Sequence, residues 1–337
     1  MQAPTVTDPD VTPYQAPCWL PGGHAQTIWP ALHARRVAGP RVSYRRERWH
    51  TPDGDFVDVD WLDAPAAAGA PLLVLLHGLE GSSRSHYAEA FASWARAQGW
   101  RFAVPHFRGC SGEINRAPRA YHSGDFEEVG WLLARFAAAQ ASVNPAAPLL
   151  AVGVSLGGNA LLRWAGEAGE QAARTVRAIA SVCAPLDLAA GARAIGRGFN
   201  RHTYTRFFLR SMKPKAAAKL AQHPGLFDAV RLAAVRDLYA FDDLFTAPLH
   251  GFADADDYYR RASAKPVLPA IRVPALVLNA RNDPFVPAAS LPRQSEAGTH
   301  VTLWQPADGG HVGFCQGALP GHVHWLPRAV GGWLLRG

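Results

Sequence analysis

Ser155 stands in Gly153-Val154-Ser155-Leu156-Gly157-Gly158, between the apolar run PLLAVG and a helical stretch from Asn159 to Glu167. A serine set between strand and helix in the pattern GxSxG is a nucleophile elbow. The turn is so sharp that neighbouring side chains would clash, which is why Gly153 and Gly157 flank it, and the helix that follows directs its positive end at developing negative charge. A hydroxyl is a weak nucleophile at neutral pH, so it needs a base, and the base needs an acid to orient it. Where this elbow is used the partners follow in the order acid, then histidine. Asp283 lies in NARNDPFVP directly after the apolar run PALVLNA, and His311 lies in GGHVGF directly after HVTLWQP. Each of the three residues therefore sits at the end of its own predicted strand. Asn282 is next to the acid, but an amide cannot supply the charge that stabilises imidazolium. Asp308 shares the loop of His311 and ranks well behind Asp283.

Acyl chemistry at a serine also needs two backbone N–H groups aimed at the tetrahedral oxyanion. Leu156, the residue after the serine, supplies one; the loop His77-Gly78-Leu79-Glu80-Gly81 supplies the other, with Gly78 allowing the turn and Leu79 donating. His77 reads as a residue that holds this loop rather than as the base. HExxH, GxGxxG and GxxxxGK[ST] are all absent, and His322 and His324 are spaced i, i+2, so the sequence points to chemistry without metal or cofactor. The stretch CWLPGGHAQTIWPAL, Cys18 to Leu32, carries His24 among glycines and tryptophans. With the triad complete elsewhere, it reads as an arm that Trp19, Ile28 and Trp29 pack onto the rest of the protein.

Strands alternating with helices must hold these residues. The runs 71–78, 100–107, 148–155, 177–185, 274–280 and 300–306 are almost continuously apolar, as strands buried on both faces of a parallel sheet are. Phe56 to Leu62 alternates, with Val57, Val59 and Trp61 on one face and Asp58 and Asp60 on the other, which predicts a half-exposed strand. Asp53-Gly54 turns it back onto 42–50 as an antiparallel edge hairpin. Tyr87, Phe91 and Trp94 mark one helix, and Phe126 to Gln140 another, with Ser123-Gly124-Asp125 as its capping region. The rhythm breaks at 188–267, where short helical patterns replace strands. This insertion reads as a cap.

The 337 residues are globular in composition, and no run approaches the ~20 apolar residues that cross a bilayer. The opening MQAPTVTDPDVTP has no basic and apolar segments of a signal peptide. Four scattered cysteines without paired spacing fit reduced thiols in the cytoplasm. The net charge of +7 comes with no nucleic-acid-binding motif, so no nucleic-acid partner is expected. Between Leu188 and Phe227 there are eight cationic residues, from Arg193 to Lys219, and no acid, with Phe199, Tyr204, Phe207 and Phe208 among them. One reading is a basic, aromatic face for anionic amphiphiles or a membrane; the preferred one is a solvated helix face paired with Asp237, Asp242, Asp243, Asp254, Asp256 and Asp257.

The stretches PGGHAQTIWP, PDGDFVDVDW, HGLEGSSRSHYA, HFRGCSGEINRAPRAYHSGD, GVSLGGNAL, FDDLFTAPLHGFADADDYYRR and GGHVGF together resemble the YheT-like branch of the α/β-hydrolases, which is related to mammalian esterases with membrane anchors. The resemblance covers most of the chain, and places that family's serine, aspartate and histidine on Ser155, Asp283 and His311. Where many members read DDPF, this chain has Asn282-Asp283-Pro284-Phe285, keeping the second carboxylate. It implies an α/β-hydrolase fold: a mostly parallel central sheet, an antiparallel edge hairpin and a helical cap. The expected organisation is an N-terminal arm over 1–40, a core over 41–187 and 268–337, and the cap over 188–267. The activity implied is hydrolysis of a small carboxylic ester, of short or medium acyl chain, through an acyl-enzyme. Acyl transfer or thioester cleavage by the same triad, and a binding role on the fold, are the alternatives. The anchors of the relatives are not carried over, and nothing in the residues speaks to oligomeric state.

Overall fold

A computed structural model describes residues 13–336. Eight strands form one sheet: β1 (Tyr44–His50), β2 (Phe56–Leu62), β3 (Leu72–Leu76), β4 (Arg101–Pro105), β5 (Leu149–Val154), β6 (Ala178–Val182), β7 (Ala275–Leu278) and β8 (Val301–Trp304). Their spatial order is β1-β2-β4-β3-β5-β6-β7-β8. β1 and β2 pair antiparallel, β2 meets β4 antiparallel, and every pairing from β4 to β8 is parallel. This is the α/β-hydrolase architecture with the expected edge hairpin. β3 and β5 to β7 are buried throughout, and β4 from Phe102 onward, as their apolar sequences require.

Helices α1 (Gly22–Leu32), α2 (His86–Ala97), α3 (Phe126–Val143), α4 (Leu156–Ala168) and α5 (Glu170–Thr175) precede β6 or lie between the earlier strands. Two apolar layers flank the sheet. One contains α3 and α4 with Trp49, Leu132, Phe136 and Trp164; the other contains α2 with Phe91, Phe102 and the last helix. Between β6 and β7 come α6 (Leu188–Ile195), α7 (Gly198–Asn200), α8 (Arg206–Gln222), α9 (Ala229–Ala234), α10 (Leu238–Phe241), α11 (Ala247–Leu249) and α12 (Ala255–Ala262); α13 (Trp325–Arg336) ends the described chain. π-helical turns at Arg201–Thr205 and Asp242–Thr246 interrupt this inserted series. The insertion has its own apolar cluster around Tyr204, Leu209, Leu238, Phe241 and Phe245. The first twelve residues of the expected 1–40 arm, and with them most of the segment read for a leader, lie outside the described residues.

Three local expectations need correction. β2 is not half exposed: Asp58 and Asp60 are buried, with only 2% and 4% of their surface exposed. Arg48 reaches across the hairpin to Asp58 and Arg46 to Asp60, while Ser111 and Ser83 donate to the same two carboxylates. Alternation thus marked a polar face, but that face is covered by a loop. The capping region before α3 does not cap, because the Asp125 carboxylate is taken by Arg119. The acids of the insertion do not pair with its basic stretch either. Asp257 binds Arg260 and Arg261, Asp242 accepts from Thr246 and Tyr259, and Asp237 and Asp254 cap α10 and α12.

Polar packing under the hairpin converges on Arg108, whose side chain is 3% exposed and meets Asp53, Asp55 and Glu128. Removing one partner of such a buried cluster leaves charge without compensation, which typically costs 3–5 kcal/mol. Arg108→Leu should lower unfolding stability in urea by about 3–5 kcal/mol, and Arg108→Leu combined with Glu128→Leu should recover part of that loss. A loss under about 1 kcal/mol would mean that the cluster is not a structural centre.

Candidate active site

β5 ends at Val154, and Ser155 turns the chain with φ 53° and ψ −120° before α4 begins at Leu156. A non-glycine residue in that region is strained, and three close approaches hold it there. A Cβ on Gly153 would lie 2.3 Å from the Gly157 carbonyl oxygen, one on Gly157 2.5 Å from the carbonyl oxygens of Leu76 and His77, and one on Gly158 2.6 Å from the Ser181 hydroxyl. The Ser155 amide also donates to the Val182 carbonyl of β6 at 2.8 Å. The elbow is therefore clamped between β3, β6 and α4.

The loops after β7 and β8 bring Asp283 and His311 to it. Asp283 accepts from the amides of Phe285 and Val286 with one oxygen and from His311 Nδ1, at 2.8 Å, with the other. His311 Nε2 lies 2.9 Å from Ser155 Oγ, and Phe285 packs against the imidazole with ring centres 4.2 Å apart. The imidazole is thus aligned between a fully buried carboxylate and the serine hydroxyl. Asp308 is not in this line; its carboxylate accepts from Gln26 and Asn282 instead.

The loop after β3 is fixed from both sides. Tyr87 accepts from the amide of Gly78, and Tyr121 accepts from the amide of Glu80 and donates to its carboxylate. Between them the Leu79 N–H has no acceptor among the described residues, and Leu156, at the first position of α4, has no intrahelical one. Gly78 lies against Ser155, where an added Cβ would be 3.1 Å from the serine Cβ. His77 is buried, its Nδ1 on the Gly78 carbonyl and its Nε2 accepting from the Phe107 amide. Burial pushes its pKa down to about 3, so the ring is neutral and both nitrogens are occupied.

α1 reaches this machinery from the other end of the chain. Its Gly23 approaches so closely that a Cβ there would lie 1.9 Å from the Asn282 carbonyl oxygen. Gln26 Oε1 accepts from the Gly309 amide and from Asn282 Nδ2, and the Asn282 side-chain oxygen accepts from the Gly310 amide. Thr27 Oγ1 accepts from the His311 amide and donates to the Gly23 carbonyl. Gln26, Thr27 and Asn282 thus tie the acid loop to the histidine loop. No local pattern signals this brace; the glycine pair beside His24 is its only trace in the sequence. His24 itself meets Tyr204 and Phe199 and makes no hydrogen bond to Ser155, Asp283 or His311 among the described residues.

Ser155 and His311 open into a cleft of about 720 Å³ walled by Leu188, Ile195, Phe208, Leu238, Tyr259 and Phe285 among others. A second lobe of about 590 Å³ shares Leu79, Leu156, Met212, Asp242 and Tyr258 with it. Both are mostly apolar. The two buried oxygens of Asp242 accept from Thr246 and Tyr259, and burial lifts its carboxyl to about 6. Among the described residues no group of three or more His, Cys, Asp or Glu could hold a metal ion.

Because folding lowers the His77 pKa from 6.5 to about 3, the unfolded chain takes up a proton that the folded one refuses. Stability is therefore unaffected by this residue above pH 6.5 and is lost as pH falls below it, by about 1.4 kcal/mol per pH unit. In urea titrations from about pH 7.5 to about pH 5, His77→Gln should flatten the decline by about that slope. An unchanged slope would show that His77 is not held neutral.

The alpha/beta hydrolase fold model matches residues 71–318. YheT of Escherichia coli (strain K12), an esterase by designation, is 41% identical over 92% of this chain and 89% of its own. Phospholipase ABHD3 of Mus musculus is 29% identical over 92% of this chain and 75% of its own. Among solved structures, the esterase Pf2001 of Pyrococcus furiosus superposes with a TM-score of 0.55 at 16% identity, over 90% of this chain and 99% of its own, which is a likeness of fold. The chain belongs to the α/β-hydrolase fold family, in its YheT-like branch, and is a hydrolase of esterase type.

Proposed function

We propose that this hydrolase is a serine carboxylesterase acting on esters of short to medium acyl chain, with Ser155 as nucleophile, His311 as base and Asp283 as orienting acid. The observation that carries the reading is the unbroken line from Asp283 through His311 to Ser155, at 2.8 and 2.9 Å. His311 Nε2 takes the Ser155 proton as Oγ attacks the ester carbonyl, and Asp283 stabilises the imidazolium through Nδ1–H. The N–H groups of Leu79 and Leu156 hold the oxyanion. Collapse expels the alcohol, which takes its proton from His311. Water, deprotonated by the same imidazole, then attacks the acyl-enzyme and releases the acid.

The insertion at 188–267 acts as a cap over the serine, and its Ile195, Phe208 and Leu238 give the cleft an apolar wall suited to an acyl chain. The four unpaired thiols fit action in the cytoplasm on a small-molecule ester. Gln26 and Thr27 are positioning residues: neither touches the imidazole, but both hold the backbone that carries it.

A fluorophosphonate probe should label the wild-type protein and leave Ser155→Ala unlabelled. Turnover of p-nitrophenyl esters should rise from acetate to chains of about six to eight carbons and then fall, as the apolar wall of the cleft is covered. A folded wild type that resists the probe would sink the assignment. Gln26→Ala should reduce kcat by about tenfold to a hundredfold, with KM within about twofold, because the groups it releases are loops that orient the base. Thr27→Ser should keep most activity, and Thr27→Val should not. Gln26→Ala with full kcat would show the brace to be idle.

A further inference from the structure

α8 has two unlike long faces. Phe208, Met212, Lys215 and Lys219 line the clefts at the serine. At about 100° per residue, Arg206, Arg210 and Lys213 fall on the opposite side of the helix. There they join Arg201, His202 and Arg236 around an open groove of about 840 Å³. The guanidinium groups of Arg201, Arg206 and Arg210 meet no acceptor among the described residues, while Lys213 and Arg236 bind only the carbonyls of Ala233 and Val235 at the end of α9. The nearest acids by sequence, Asp228 and Asp237, are turned to the amides that begin α9 and α10. The same two helices carry two large apolar side chains open to solvent, Phe207 next to Arg206 on α8 at 71% exposure and Val230 on α9 at 78%.

Uncompensated cations grouped on one face attract a polyanion, and apolar side chains exposed at their edge favour one that also has an apolar interior. We propose that this face of the insertion docks the protein on an anionic lipid surface, with Arg206, Arg210 and Lys213 at the headgroups and Phe207 entering the layer beneath. Docking puts the reverse side of the cleft wall against the bilayer, about one helix diameter from the substrate. Charge brings the protein to the surface, and the phenyl ring distinguishes a membrane from a nucleic acid, which offers phosphates without an apolar layer.

The test is co-sedimentation of the full chain with phosphatidylcholine vesicles, with and without about one third phosphatidylglycerol. Wild type should bind the anionic vesicles only, and more weakly as salt rises. Arg206→Glu combined with Arg210→Glu should lower that affinity at least about tenfold, and Phe207→Ser should lower it at any salt concentration. Hydrolysis of a water-soluble p-nitrophenyl ester should be unchanged in both variants, so failure here is separable from failure of the esterase reading. Wild type that ignores anionic vesicles, a doubly reversed variant that binds them undiminished, or tighter binding to duplex DNA than to vesicles would each overturn the proposal.

Discussion

The site depends on how closely four backbone segments approach one another around Ser155. β3, β5 and β6 meet the start of α4 at separations that leave no room for a Cβ at Gly153, Gly157 or Gly158. That crowding keeps the serine at a positive φ, lifts its hydroxyl off the end of the sheet and points the first turn of α4 at the same spot. Strain of this kind costs of order 1–3 kcal/mol and persists only where the surroundings over-determine it. Here the surroundings are a parallel sheet buried on both faces, which is the part of the molecule least able to give way.

The remaining groups are arranged around that fixed point by softer means. Asp283 and His311 ride on loops, and loops need ties. Asn282 and Gln26 form a part-buried amide pair in which each carbonyl takes a backbone amide of the histidine loop, and Thr27 takes a third. The β3 loop is tied in a parallel manner by two tyrosine hydroxyls that occupy the amides on either side of Leu79. In the β3 loop this leaves the Leu79 N–H as the amide without an acceptor among the described residues, while in the histidine loop the imidazole itself is bonded on both nitrogens. Orientation is thus provided by hydrogen-bond accounting in the loops, and rigidity by the sheet beneath them.

What was legible in the sequence follows from this division. Ser155, Asp283 and His311 each come directly after an apolar run, so a local pattern locates them, and chain order assigns them. The edge hairpin and the parallel core were readable for the same reason. The brace was not readable, because Gln26 meets residues more than 250 positions away and its own surroundings look like an ordinary helix start. Burial of Asp58 and Asp60 was hidden likewise: alternation tells which face is polar, not whether a distant loop with Ser111 will cover it. Charge pairing in the insertion was misjudged from proximity in the sequence. Its acids are consumed by helix starts and by Arg260 and Arg261, leaving Arg206 and Arg210 of α8 to face outward.

The tie between Gln26 and the amide of Gly309 has a consequence for the order in which the molecule is built. It joins a helix to a loop 283 residues further along the chain. The elbow can form once β3, β5 and β6 are paired, but the histidine loop lacks its Gln26 and Thr27 acceptors until α1 and the loop after β8 have met. Contacts of such long sequence separation are the slowest to form in folding. The turn at Ser155 is therefore in place before His311 is seated beside it, and the alignment of the two side chains is a late event of folding.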